Sequence, residues 1–173
     1  MTDQVSFGSR GLGQVECHHC GLKTETLGFD LACGEGFFTR KLKTLGADTV
    51  VVSARGELLG KPEDASDARR ILRSLSATTH RVITGVAVVI GETERVSSET
   101  TRVTMGRMSA AEIDAYIASG ECFGKAGAYA IQETGDRFVT HIDGSWSNVV
   151  GLPLALTTRL LAEVGIRVGE ATE

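Results

Sequence analysis

Apolar and polar positions alternate along most of the chain in ways that separate strands from helices. "DTVVVS" (48–53) is a short β-branched run and predicts a buried strand that opens at Asp48. "EDASDARRILRSLS" (63–76) puts Ala65, Ala68, Ile71, Leu72 and Leu75 on one stripe at helical spacing, with acidic residues at its start. "HRVITGVAVVI" (80–90) is long, β-branched and almost free of charge, as a central strand is. The more polar "ERVSSETTRVTM" (94–105) predicts a strand paired with it. Ser109 and Glu112 form an S-x-x-E capping box for a helix over 109–119, which Gly120 can close. "AYAIQ" (128–132) and "DRFVTHI" (136–142) predict two further strands about the turn "ETGD". Pro153 suits the first turn of a last helix, "LPLALTTRLLAEVG". Strands that pair locally and across helices predict an α/β fold with a mixed β-sheet flanked by helices. Residues 1–44 differ: they are glycine-rich, hold three of the four cysteines and show no sustained period, so the chain divides into a segment 1–44 and a domain 45–173.

Composition narrows the function classes. The 173 residues suit one domain with a real core, and 42% apolar with 23% charged residues is ordinary for a globular protein. A net charge of −4 argues against a bulk grip on a nucleic-acid polymer, although a local basic pocket can hold phosphates. No apolar run is long enough to span a membrane, and "MTDQVSFGSRGLGQ" lacks the apolar centre of a signal peptide, so the sequence reads as cytoplasmic with its cysteines reduced.

The candidate chemistry lies in two glycine-bearing stretches. In "LGADTVVVSARGELLGKP", Asp48 is a carboxylate held by a strand, suited to metal binding or base catalysis; a turn-forming aspartate is the simpler alternative. Thr49 follows it and faces the other way in an extended strand. Lys61 stands between a glycine that allows close backbone approach and a proline that stiffens the turn, which suits a point charge aimed at a phosphate; a solvated surface lysine is the alternative. In "GECFGKAGAYAIQETGDRFVTHIDGSWSNVVGLPL", Lys125 has the same two readings. Gln132 can both donate and accept, as contact with a base edge requires, or it can simply end a strand. The chain has no Walker loop, no H-E-x-x-H pair and no G-x-S-x-G elbow.

Taken in order, "GADTVVV", "GELLGKP", "RRILRSLS", "HRVITGVAVV", "KAGAYAIQ" and "GSWSNVVGLPL" resemble the Maf family of nucleotide pyrophosphatases, over about Leu45 to Gly165. The resemblance implies a Maf/inosine-triphosphatase-like fold, a homodimer, and hydrolysis of a nucleoside triphosphate to the monophosphate and pyrophosphate with Mg²⁺ or Mn²⁺. It implies Asp48 as proton acceptor on the metal side, Lys61 and Lys125 at the phosphates, and Thr49 and Gln132 at positions linked to substrate choice. "TGVAV" and "AGAYAIQ" look like the branch acting on dTTP and UTP. "GSWSNVVGLPL" then frames the pocket wall.

Residues 1–44 depart from the family pattern. The phosphate-gripping S-x-S-P-R-R turn, the later glutamate and the lysine-alanine pair are absent from them, and Arg10 is the sole arginine before Arg40. A non-catalytic nucleotide-binding or regulatory protein is therefore the alternative function. "GFDLACGEGFFTRKL" instead resembles the first glycine-rich motif of class I methyltransferases, and "ECHHC" could be half of a zinc site, through Cys17, Cys20 and Cys33 or a histidine, but the second pair of ligands that structural zinc needs is missing.

Overall fold

The structure is a computed structural model that describes residues 7–9, 14–17, 23–25, 42–166 and 168, with side chains from residue 44 onward. The methyltransferase-like motif and Cys20 lie outside the described residues. Near the N-terminus, β1 (Phe7–Ser9), β2 (Gln14–Cys17) and β3 (Lys23–Glu25) form a small antiparallel sheet in the order β1-β2-β3.

The main sheet has five strands in the order β5-β4-β6-β7-β8: β4 (Leu42–Val52), β5 (Leu58–Leu59), β6 (Thr79–Ile90), β7 (Thr93–Met105) and β8 (Val139–Asp143). Among the described residues four α-helices accompany it: α1 (Ala65–Leu75), α2 (Ala110–Ser119), α3 (Trp146–Val150) and α4 (Leu154–Glu163). The α/β architecture expected from the sequence is the one the chain adopts. β4 pairs antiparallel with β5, and β7 with β8, where the register slips between Thr104 and Met105.

The chain forms two compact units, residues 1–48, 85–98 and 154–173 in the first and 49–84 and 99–153 in the second. In the first, Val86, Val88 and Ile90 of β6 bury against Leu156, Leu160, Leu161 and Val164 of α4, with Leu45 and Ala47 of β4 packed on them. In the second, the core joins Val51, Val82, Val103 and Met105 from strands to Ile71, Leu72 and Leu75 of α1 and Ile113, Tyr116 and Ile117 of α2.

Local signals account for the second unit's helices. Asp64 caps α1 by accepting from the Asp67 N–H at 2.8 Å, and the predicted stripe is buried at Ala68, Ile71, Leu72 and Leu75. The α2 capping box is complete: Glu112 N–H donates to Ser109 Oγ at 3.3 Å and Ser109 N–H to Glu112 Oε2 at 2.8 Å. Gly120 ends that helix at φ +82°, a left-handed conformation that costs glycine nothing.

Two sequence expectations are corrected. β4 does not open at Asp48 but six residues earlier, at Leu42. Leu45 and Ala47 sit at strand spacing and pack together on the first unit's core, which extends the strand upstream of the β-branched run. Residues 128–132 are not a strand, and residues 134–138 form a 3₁₀ turn before β8 begins at Val139. Gly127 (φ +75°) and Ala128 (φ +56°) turn the backbone out of the extended region, and the Ala130 N–H donates to Tyr116 Oη at 3.0 Å instead of to a neighbouring strand.

Candidate functional site

Both candidate lysines stand on loops of the second unit, and one backbone bond stitches these loops together. Lys61 follows β5, exposed, between Gly60 and the buried Pro62. Lys125 is also exposed and leads into a 3₁₀ turn, Ala126–Ala128. The Gly127 N–H donates to the Gly60 carbonyl at 3.1 Å. Gly127 also lies on β4: a Cβ there would meet both γ-methyls of Val51 at 3.1 Å, and its φ of +75° disfavours any side chain. A glycine at this point therefore lets the Lys125 loop close onto the strand and onto the Lys61 turn. Among the described residues neither lysine forms an ion pair. Each ammonium group is thus a point charge without an ion-pair partner among the described residues, of the kind that receives a phosphate.

Gln132 is exposed in the turn that continues this segment. Residues 125–133 have no strand partner, so other contacts fix them. Tyr129 Oη lies 2.9 Å from His80 Nε2, and Tyr116 Oη accepts the Ala130 N–H. Thr134 closes the far end, its N–H and Oγ1 donating to Glu121 Oε2 at 3.1 and 2.7 Å. Burial holds the His80 imidazole neutral, its pKa pushed down from 6.5 to about 4.

Thr49 and Val51 occupy the same face of β4, since they stand two residues apart. The Thr49 and Thr84 hydroxyls are 2.9 Å apart, and Thr84 Oγ1 donates to the Asn148 carbonyl at 3.1 Å. Thr84 has one hydroxyl proton; with that proton on Asn148 O, Thr49 is the donor to Thr84. Asn148, fully buried, donates through Nδ2 to Val82 O at 3.1 Å and to Thr101 Oγ1 at 2.9 Å. Thr101 Oγ1 in turn accepts from the Ser145 N–H at 3.0 Å and donates to Ser145 O at 3.2 Å. This network ties α3 to β6 and β7 and holds the Thr49 hydroxyl at its end.

Asp48 is the last residue of the first unit, half-buried, and on the opposite face of β4 from Thr49. Among the described residues no three of His, Cys, Asp and Glu gather as a metal cage. Hard divalent ions can be held by as few as one or two protein carboxylates when substrate phosphates and water complete the shell.

Sequence reasoning singled out the exposed Lys61, Lys125 and Gln132 and the half-buried Asp48 and Thr49, and missed the buried residues behind them. His80, Tyr129, Thr84 and Thr101 sit in ordinary apolar or β-branched patterns and gave no signal; Asn148, isolated among small residues, gave a faint one.

A family model described as "Maf-like protein" matches residues 23–164. The chain is 54% identical over 121 residues to a dTTP/UTP pyrophosphatase of Chromobacterium violaceum, covering 70% of this chain and 61% of that protein. It is 53% identical over 126 residues to one from Anaeromyxobacter dehalogenans, covering 70% and 64%, and 47% identical over 124 residues to one from a Polaromonas species, covering 72% and 61%. The matches therefore span less than two-thirds of the length of these curated relatives. No helix among the described residues is long and apolar enough to cross a membrane.

Proposed function

The chain belongs to the Maf family, and from that membership we propose that it hydrolyses a nucleoside triphosphate, dTTP or UTP, to the monophosphate and pyrophosphate. The observation that carries the proposal is the Gly127–Gly60 bond, which joins the loops of two lysines that have no ion-pair partner among the described residues. Relatives about half identical bear the name dTTP/UTP pyrophosphatase, which supplies the substrate class.

In this reading Lys61 and Lys125 receive the phosphates, and residues 45–173 carry the nucleotide chemistry. Asp48 takes the proton of a water whose oxygen attacks the α-phosphorus; the bond from that phosphorus to the bridging oxygen breaks and pyrophosphate leaves with the electron pair. Asp48 is also the carboxylate that would hold Mg²⁺ or Mn²⁺ against the phosphate oxygens. Such an ion, when bound, spreads the triphosphate's charge. Thr49 and Gln132 choose among bases, the hydroxyl oriented through Thr84 and the amide carried by the turn after residue 131. The protein acts in the cytoplasm as a homodimer.

One fact of the sequence favours a second reading, nucleotide binding without hydrolysis. The chain has no S-x-S-P-R-R turn, and Arg10 is the sole arginine before Arg40. A panel of nucleoside triphosphates with pyrophosphate detection separates the two. The enzyme reading expects release from dTTP and UTP, reduced about 10²–10⁴-fold by Asp48→Asn. Equal release by wild type and Asp48→Asn refutes the role of Asp48, and UTP binding without release leaves the binding reading standing.

A further inference from the structure

We propose that His80 and Tyr129 are positioning residues: their buried hydrogen bond fixes residues 125–133, and through them Lys125 and Gln132, for a nucleoside triphosphate. The inference rests on the nucleotide reading of Lys125 and Gln132 given above.

The chain has two tyrosines, and both anchor this one segment. Tyr129 Oη meets His80 Nε2 at 2.9 Å, with the two rings edge-on at 5.5 Å and 81°. Tyr116 Oη takes the N–H of the next residue, Ala130. The anchors come from the start of β6 and from α2, so the segment is pinned to two separate elements although it belongs to no ladder. His80 is 1% exposed and Tyr129 6%. A pair of apolar side chains would fill the same space without a polar group to satisfy. Instead His80 Nδ1 is buried with no hydrogen-bond partner among the described residues, so the pair is a poor device for stability alone. What the bond does supply is direction: it fixes the Tyr129 ring, and with it the backbone four residues after Lys125 and three before Gln132. Burial keeps the imidazole neutral across the physiological range, so the bond does not switch with pH there.

The test compares wild type with Tyr129→Phe, His80→Leu and the double variant, using amide exchange by mass spectrometry, melting temperature and UTP kinetics. Tyr129→Phe should raise exchange across residues 125–133 about tenfold and raise KM for UTP about tenfold, with kcat moved less than about threefold. The double variant leaves neither Nε2 nor Oη buried and unpaired, so its melting temperature should recover toward wild type while KM stays high. A KM that returns with the melting temperature overturns the inference, because it assigns the pair to stability. Unchanged exchange in Tyr129→Phe, or raised exchange with unchanged KM, overturns it as well. A wild type that releases no pyrophosphate but binds UTP more tightly than Tyr129→Phe, by calorimetry, sinks the hydrolytic reading and upholds the positioning. A wild type that neither hydrolyses nor binds UTP removes both.

Discussion

Acidification to pH 5 should destabilise this protein through His80, and the size follows from its burial. The imidazole ionises near 6.5 when solvated and at about 4 in the fold, because desolvation disfavours its charged form. A histidine with a depressed pKa binds its proton more readily when the chain is unfolded. Stability is therefore complete above about pH 6.5, falls as pH drops toward 4, and levels off below it. At pH 5 the unfolded chain is nearly all protonated at this site and the folded one hardly at all, a difference of about 2 kcal/mol, with a ceiling of about 3 kcal/mol below pH 4. His80→Gln is the reference, since it can still reach Tyr129 Oη from the same position and does not titrate. Urea midpoints at pH 7 and pH 5 should fall further in wild type than in His80→Gln, by about 1 M for a typical urea dependence. The Asp67 carboxyl, held below its ordinary range by Arg70, and that of Glu112, held down by Ser109, lose stabilisation on acidification too. Both stand in both proteins and cancel in the difference. Equal acid loss in wild type and His80→Gln would refute the reasoning, because His80 would then not be buried as a neutral base.

Two further substitutions test the same segment from other sides. Gly135→Ala places a Cβ 2.7 Å from Ala130 O and 2.8 Å from Tyr116 Oη; the first is backbone and the second already bonded to the segment, so a loss of about 1–3 kcal/mol should appear as a lowered melting temperature. An unchanged melting temperature would mean that the segment has room to shift. Gln132→Ala, at an exposed site, should leave stability within about 0.5 kcal/mol but change the ranking of dTTP, UTP and CTP by kcat/KM. An unchanged ranking removes Gln132 from base choice.

Helices α1 and α2 of the second unit were legible because their signals are local. Asp64, the Ser109–Glu112 box and Gly120 each act within one turn of the backbone they cap, and the buried stripe of α1 follows from its own spacing. β6 and β7 were legible by length and β-branching. "AYAIQ" misled because its apolar residues are buried as expected, yet not in a strand. Burial is what an apolar run reports; pairing is decided elsewhere. Here it is decided by a positive φ at a non-glycine residue, Ala128, and by a tyrosine on α2 that takes the N–H a strand partner would need. Neither is written within the run.

The site divides along the same line. Lys61 and Lys125 stood out because each follows a glycine, but the bond that joins their loops connects residues 60 and 127, which no local pattern links. The threonines behind Thr49 were hidden more completely, since threonine is an ordinary strand residue. Thr84 and Thr101 are both fully buried, and a buried hydroxyl is costly unless it is bonded. Each therefore needs a partner within reach, and the segment after β8 provides it. The Asn148 carbonyl takes the proton of Thr84, while its amide nitrogen gives one proton to Thr101 Oγ1 and the other to Val82 O. An aspartate has no N–H to give, and a leucine of similar size would leave Val82 O without this donor. Two donors on one short side chain are what the position demands, which accounts for an asparagine standing alone among small and apolar residues in "GSWSNVVGLPL".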